Sequence, residues 1–335
     1  MKKITLILFV LAMAAIPVFA RGRGQNEAAL QQIKIGVSVP AVSHGWAGGV
    51  GWWAVHTVEE LRREYPEIEF SIIHSDNAGQ QERDLFNLAT WGMNHLVIFP
   101  HESAPLTEPV RRIAAEGIRC IVVDRGLTRT DFGYVNIAGD NPGLGRVSGY
   151  WLSQAMRAES LTNYVAIGGM PVVVDTERMD TFFIEMNEEP SLVNLLGENN
   201  YEFSDWSIQD GFRIMAALLQ QFPRIDAVYC QYDEVLLGVL QAISEARRDD
   251  VKIVLGGAGS RPVYEMIMAG YPLVRATGTY HPSMIVGAIR YTVNVALGRI
   301  SADFATANRP TWVIFPSTMV TIDNVDQYYN PDSIF

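Results

Sequence analysis

The chain reads as an α/β protein made of two similar lobes, each a doubly wound parallel sheet. Three observations predict this. Apolar, β-branched runs alternate with amphipathic stretches of helical period along most of the 335 residues. The runs are near-continuous rather than apolar–polar, the pattern of strands covered on both faces. The rhythm restarts near residue 164, with no low-complexity linker between the halves.

The first half supplies strands at Ile33–Val39, Ile68–His74, His95–Phe99 and Ile118–Val123. Helices are predicted at Val50–Arg63, Gln80–Trp91 and Leu106–Ala115. Asp140-Asn141-Pro142-Gly143 then opens a helix running to about Arg157, with an acidic cap and a proline just inside the start. The second half supplies strands at Tyr164–Ile167, near Phe203, and at Ala227–Cys230, Ile253–Leu255 and Leu273–Ala276. Its helices lie around Gln209–Gln220, Glu234–Ala246 and Pro262–Ala269. A last helix, Pro282–Leu297, and the segment Thr311–Ile322 follow. The expected division is a first lobe of 33–139 plus 281–309, a second of 140–280 plus 310–327, and a tail of 328–335. Three crossings, near Ala138–Asp140, Tyr280–Pro282 and Asn308–Thr311, form the expected hinge.

Composition narrows the function. The chain is 48% hydrophobic and 19% charged, as a globular protein should be, and its net charge is −11. Without a basic excess, nucleic acid and anionic membrane surfaces are excluded as main partners. The cysteines, Cys120 and Cys230, each sit in an apolar strand and read as small buried residues rather than a disulfide. The first twenty residues have a basic start (MKK), an apolar stretch and a small-x-small end at Ala20. That is an export signal, too short for a comfortable membrane span, and no cysteine stands near its end for lipid attachment. Residues 21–32 read as a flexible leader, and the expected location is the periplasm.

In open parallel sheets, ligands sit beyond the carboxyl ends of the strands. In the first half those ends carry Ser43, His44 and Trp46, then Ser75-Asp76-Asn77, then His101-Glu102, then Asp124-Arg125. In the second they carry Asp175, Glu177 and Arg178, then Asp205-Trp206, then Gln231-Tyr232-Asp233, then Tyr280-His281. Two such edges facing each other make a cleft. Aromatic faces and planar donors and acceptors suit a small polyhydroxylated ligand, whose hydroxyls are costly to bury unpaired. In HGWAGGVGWW (44–53), His44 and Trp46 are expected to face the ligand, the glycines to form a turn, and the next helix to start at Val50.

Together these segments resemble the periplasmic sugar-binding proteins of the ribose/galactose type, with the periplasmic binding protein type I fold. The resemblance covers nearly all of the chain after the export signal. It is carried by VVDRG (Asp124-Arg125), VNIAGDNPGLG (with Asn141), IGGMPVVVDTERMDTFF (with Arg178), and the ungapped stretch DWSIQDGFRIMAALLQQFPRIDAVYCQYDEVLLGVLQAI (with Trp206). It implies ligand contacts at His44, Trp46, His101, Asp124, Arg125, Asn141, Arg178, Trp206, Tyr232 and Tyr280. It also implies delivery of the ligand to the membrane permease of an ABC importer, hinge closure around the ligand, a monomer, no cofactor and no metal.

Three positions depart from the family pattern. Tyr232 replaces an asparagine, Ala258 replaces a ligand-binding aspartate, and Tyr280 replaces a glutamine. The expected ligand is therefore not ribose or galactose. A smaller polyol, a deoxy or methylated sugar, or a sugar bearing an apolar group fits better. Other readings stay open for single residues. Asp124 and Arg125 pair with each other or cap a helix, Arg178 joins an interlobe salt bridge, Trp206 is core, and the tyrosines pack at the hinge. Enzymatic motifs are missing: there is no G-x-S-x-G elbow or P-loop, GGAGSRP breaks the dinucleotide pattern at Pro262, and the histidines show no ligand spacing. No DNA-binding helix precedes Ile33, which sets aside a sugar-responsive repressor. A sensor that presents its ligand to a chemoreceptor or histidine kinase is the alternative to transport.

Overall fold

The computed structural model describes residues 32–42, 45–188 and 201–335, with the backbone of 194–195. The expected export segment and His44 lie outside the described residues. Residues 33–335 form one compact unit.

The first lobe runs β1 (Ile33–Pro40), α1 (Gly45–Glu64), β2 (Ile68–Ser75), α2 (Ala78–Trp91), β3 (His95–Ile98), α3 (Ser103–Ala115), β4 (Arg119–Val123) and β5 (Val135–Gly139). The second runs α4 (Asn141–Ala158), β6 (Asn163–Ile167), α5 (Val173–Asn187), β7 (Asn194–Leu195), α6 (Ile208–Gln221), β8 (Ala227–Cys230), α7 (Asp233–Ala246), β9 (Ile253–Ala258), α8 (Arg261–Met268) and β10 (Ala276–Thr279). The chain then returns through α9 (Met284–Ala296), β11 (Thr311–Phe315) and β12 (Met319–Thr321).

The sheets have the orders β11-β5-β4-β3-β1-β2 and β12-β10-β9-β8-β6-β7. All pairings are parallel except β12 with β10. In β3 all four residues are buried. Leu96 and Ile98 join the core under α2 and α3, while Val97 joins the core on the opposite face, under α1 and α9. In β8, Ala227 and Tyr229 face α4 and α5, and Val228 and Cys230 face α6 and α7. Apart from His95 at the start of β3, these two strands are apolar throughout because both of their faces are covered. Both cysteines are buried free thiols, and burial pushes Cys120 up to about 12.

The order of each sheet reverses at one place. From β1 the chain goes outward to β2 and returns to β3 on the other side, and β6, β7 and β8 repeat the move. These reversals open crevices at the carboxyl ends of β1/β3 and β6/β8. The helix of the Asp140 motif forms as expected, with the Asp140 carboxylate accepting from Gly143 N at 2.7 Å.

Four expectations are corrected. Thr311–Phe315, expected in the second lobe, lies alongside β5 in the first sheet, so the third crossing falls at 316–318 rather than Asn308–Thr311. Thr311 N bonds to Tyr134 O at 2.9 Å and starts that ladder. Residues 328–335 are not a free tail: Phe335 is 3% exposed, stacks on Tyr232 (centroids 6.1 Å apart) and lies against Gly49 of α1. Helix α1 begins at Gly45, not Val50, with Gly45 in a left-handed conformation (φ 63°) and Gly49 serving close approach inside the helix. A Cβ on Gly49 would stand 2.8 Å from Pro282 and 2.9 Å from Phe335. The strand expected near Phe203 is replaced by β7, with Glu202 adding a single bridge to Ile167.

Candidate ligand-binding site

A cavity of about 540 Å³ lies where the two crevices face each other. Trp46, Ser103, Asp124 and Arg125 line it from the first lobe. Met170, Val172, Val174, Arg178, Trp206, Tyr232 and Ala258 line it from the second, and Tyr280 from the crossing after β10. Seven of the ten residues expected at the site are thus brought together. Asn141 borders an adjoining cavity and accepts from Arg178 Nε at 2.9 Å. His101 is not among the lining residues. Its backbone serves instead, N donating to Gln81 Oε1 at 2.7 Å and the carbonyl accepting from Arg125 Nη1.

Hydrogen bonds from both lobes and from the crossing after β10 bridge the cleft. Trp46 N donates to the Tyr232 hydroxyl at 3.0 Å, and its indole Nε1 donates to Tyr280 O at 2.6 Å. The Tyr280 hydroxyl donates to Asp124 Oδ1 at 2.6 Å. The two phenols therefore act as clasps between lobes as well as cavity wall, which joins two of the readings the sequence left open. Burial pushes the Asp124 carboxyl up from its ordinary value, against the Tyr280 hydroxyl and the charges of Arg125 and Arg178. Burial also raises both phenols, reinforced by Glu234 beside Tyr232 and by Asp124 beside Tyr280.

Three lining residues have left-handed backbones without being glycine: Asp124 (φ 59°), Trp206 (φ 63°) and Ala258 (φ 88°). Such conformations cost free energy and persist where surrounding structure imposes them, commonly at ligand sites. At Trp206 the imposing structure is visible. Its N donates to Ser204 Oγ (3.2 Å), its Nε1 donates to Gln231 Oε1 (3.3 Å), and its ring lies on Gly169. Gln231 in turn donates to Asp175 Oδ1 (2.8 Å), which also takes Gly169 N (2.6 Å), while Oδ2 takes the Tyr201 hydroxyl (2.7 Å). Asp175 and Gln231, which the strand-end rule places at the edge of the cleft, are fully buried supports for the wall. Asp233 has the same role beneath Ala258, accepting from Ser260 N (2.6 Å) and Thr277 Oγ1 (2.8 Å).

Sequence reasoning missed Ser103, Met170, Val172 and Val174. Met170 and Val172 follow the end of β6, so the strand-end rule holds the signal, but apolar side chains there are indistinguishable in sequence from core. Among the described residues no group of three His, Cys, Asp or Glu is placed to hold a metal ion, and no helix is long and apolar enough to cross a membrane.

The chain matches the periplasmic binding protein domain over residues 35–297. A D-apiose import binding protein of Paraburkholderia graminis is 23% identical over 59% of this chain, and the match spans 61% of that relative. A ribose import binding protein of Bacillus subtilis is 23% identical over 76% of this chain and 79% of its own length. Among solved structures, an ABC transporter solute-binding protein from Bacillus halodurans with bound myo-inositol superposes with a TM-score of 0.71 at 19% identity. That superposition covers 90% of this chain and 98% of the other. With the two parallel-sheet lobes and the cleft between their switch points, the match identifies the chain as a member of the periplasmic binding protein family.

Proposed function

We propose that the protein is an extracytoplasmic solute-binding protein, exported by its first twenty residues, that captures a small sugar or sugar-like polyol and hands it to an ABC importer permease. The observation that carries this reading is the cavity itself. It is lined from both lobes and from the crossing between them, so a ligand touching every wall stabilises only the closed form. No bond is made or broken. Trp46 and Trp206 offer aromatic faces, and Asp124, Arg125 and Arg178 offer charged hydrogen bonds to ligand oxygens. Met170, Val172, Val174 and Ala258 leave one side of the cavity apolar. A smaller polyol, or a deoxy or methylated sugar, suits that wall better than a fully hydroxylated hexose. The names of the relatives, apiose and ribose import binding proteins, support the transport reading.

The test is a thermal-shift screen against sugars, polyols, deoxy and methyl sugars, nucleosides and amino acids. A ligand at a hundred times its dissociation constant stabilises the fold by about 2.7 kcal/mol. Calorimetry of Trp46→Ala and Arg178→Ala with the hit should then show weakened binding in both. Wild-type affinity in both variants would place the site elsewhere.

A further inference from the structure

The cavity carries an unbalanced charge. Two guanidinium groups line it, Arg125 and Arg178, and one carboxylate, Asp124. Among the described residues neither arginine is ion-paired. Arg178 is 6% exposed, stacks over the Tyr280 ring (4.5 Å to the centroid) and spends only its Nε, on Asn141. Its terminal nitrogens have no protein partner among the described residues, although the side chain lines the cavity. Arg125 spends Nη1 on the His101 carbonyl and lies 5.0 Å over the Phe99 ring. Asp124 is already engaged by Tyr280.

The neighbouring acids do not close the balance. Asp175 gives its oxygens to Gly169, Gln231 and Tyr201, and Asp233 gives its oxygens to Ser260 and Thr277. Asp140 caps α4 and meets Arg146 (3.3 Å). Glu234 lies beside Tyr232 and Gly45 and is not among the residues lining the cavity, and Glu177 is exposed on the adjoining cavity, where solvent screens it. A buried guanidinium left without a counter-charge is costly, and a carboxylate matches its planar fork with two parallel hydrogen bonds.

We propose that the natural ligand is a monocarboxylate, a hydroxy acid or sugar acid. Its carboxylate is held by Arg178 and Arg125, and its carbon skeleton lies against Trp46, Trp206 and the Met170–Val172–Val174 wall. Its one negative charge equals the surplus among the lining side chains. This deepens the proposed function and rests on the cleft being the binding site.

The test is calorimetry on matched compounds that differ only at the terminal carbon: erythronate against erythritol, and ribonate, arabinonate and xylonate each against its alditol and aldose. The expected result is an acid that binds at least about tenfold tighter than its neutral partners, with an affinity that falls as salt is raised. Ala258→Asp should abolish the preference by supplying a second carboxylate, whereas Ala258→Asn, of similar volume and uncharged, should keep it. Both residues tolerate the left-handed backbone at this position. If Ala258→Asp fails to fold, the salt dependence in the wild type still decides, because neutral ligands do not share it. An alditol or aldose that binds as tightly as its acid overturns the carboxylate assignment and leaves the sugar-binding function standing. No binding by any acid, alditol or aldose overturns both.

Discussion

The Tyr280 hydroxyl donates to Asp124 Oδ1 across 2.6 Å, tying the crossing after β10 to the end of β4. Tyr280→Phe keeps the ring under Arg178 and removes the donor. A partly buried carboxylate that loses such a partner costs about 1–3 kcal/mol. The expected result is a lower melting temperature, weaker ligand binding, and a pH dependence of affinity displaced to higher pH than in the wild type, because Asp124 takes up its proton sooner once the donor is gone. Unchanged melting and unchanged binding would show that the bond contributes nothing.

Stability should depend on pH through two opposed sets of groups. Burial holds the Asp233 carboxyl up at about 7, from an ordinary 3.8. The folded chain therefore binds one more proton than the unfolded chain between those values, and this contribution to stability is present at low pH and lost as pH rises through about 7. Burial holds His95 and His281 down at about 4, from an ordinary 6.5, so their contribution is lost as pH falls through that window. In the wild type, Asp233 offsets part of the histidine effect. Asp233→Asn keeps both hydrogen bonds by turning its amide nitrogen to Thr277, and removes the titration. Denaturant unfolding from pH 4 to 6.5 should show a steeper rise of stability with pH in the variant. Equal slopes would mean that Asp233 titrates normally.

Gly169 should not accept a side chain. A Cβ there would stand 1.9 Å from Trp206 Nε1, so Gly169→Ala must push the indole off its seat and break its bond to Gln231. Ligand affinity should fall while the sheets persist, visible as lost calorimetric heat with unchanged far-ultraviolet circular dichroism. Wild-type affinity would separate Trp206 from binding.

Phe335→Ala should destabilise the protein by about 3 kcal/mol, the usual cost of emptying a buried aromatic site. Because that ring backs Tyr232, which clasps Trp46, ligand affinity should drop as well. Loss of stability with unchanged affinity would limit Phe335 to packing.

The two-lobed fold was legible because its strands are buried on both faces and therefore apolar without interruption, as in Leu96–Ile98 and Val228–Cys230. The strand-end rule found Trp46, Asp124, Arg125, Arg178, Trp206, Tyr232 and Tyr280 because polar residues directly after such strands have few other uses. It could not separate wall from support. Asp175 and Gln231 carry the same chemistry as lining residues, and only three-dimensional placement buries them. The edge strand Thr311–Phe315 was assigned to the wrong lobe because TWVIF suits either sheet, and pairing with β5, far away in sequence, decides. Phe335 was overlooked because a lone aromatic at the end of a polar segment has no periodicity to reveal burial.

Between Phe315 of the first sheet and Met319 of the second stand only Pro316, Ser317 and Thr318. Four chain steps reach at most about 14 Å. While both edge strands stay paired, the two sheets can part by no more than that along this edge, so the proposed hinge motion would be a swing, with β11 and β12 as the spine of the book. The mouth opposite the spine then travels farthest for a given angle. Paired spin labels set there would read closure with the greatest sensitivity, and labels at the spine would read almost none.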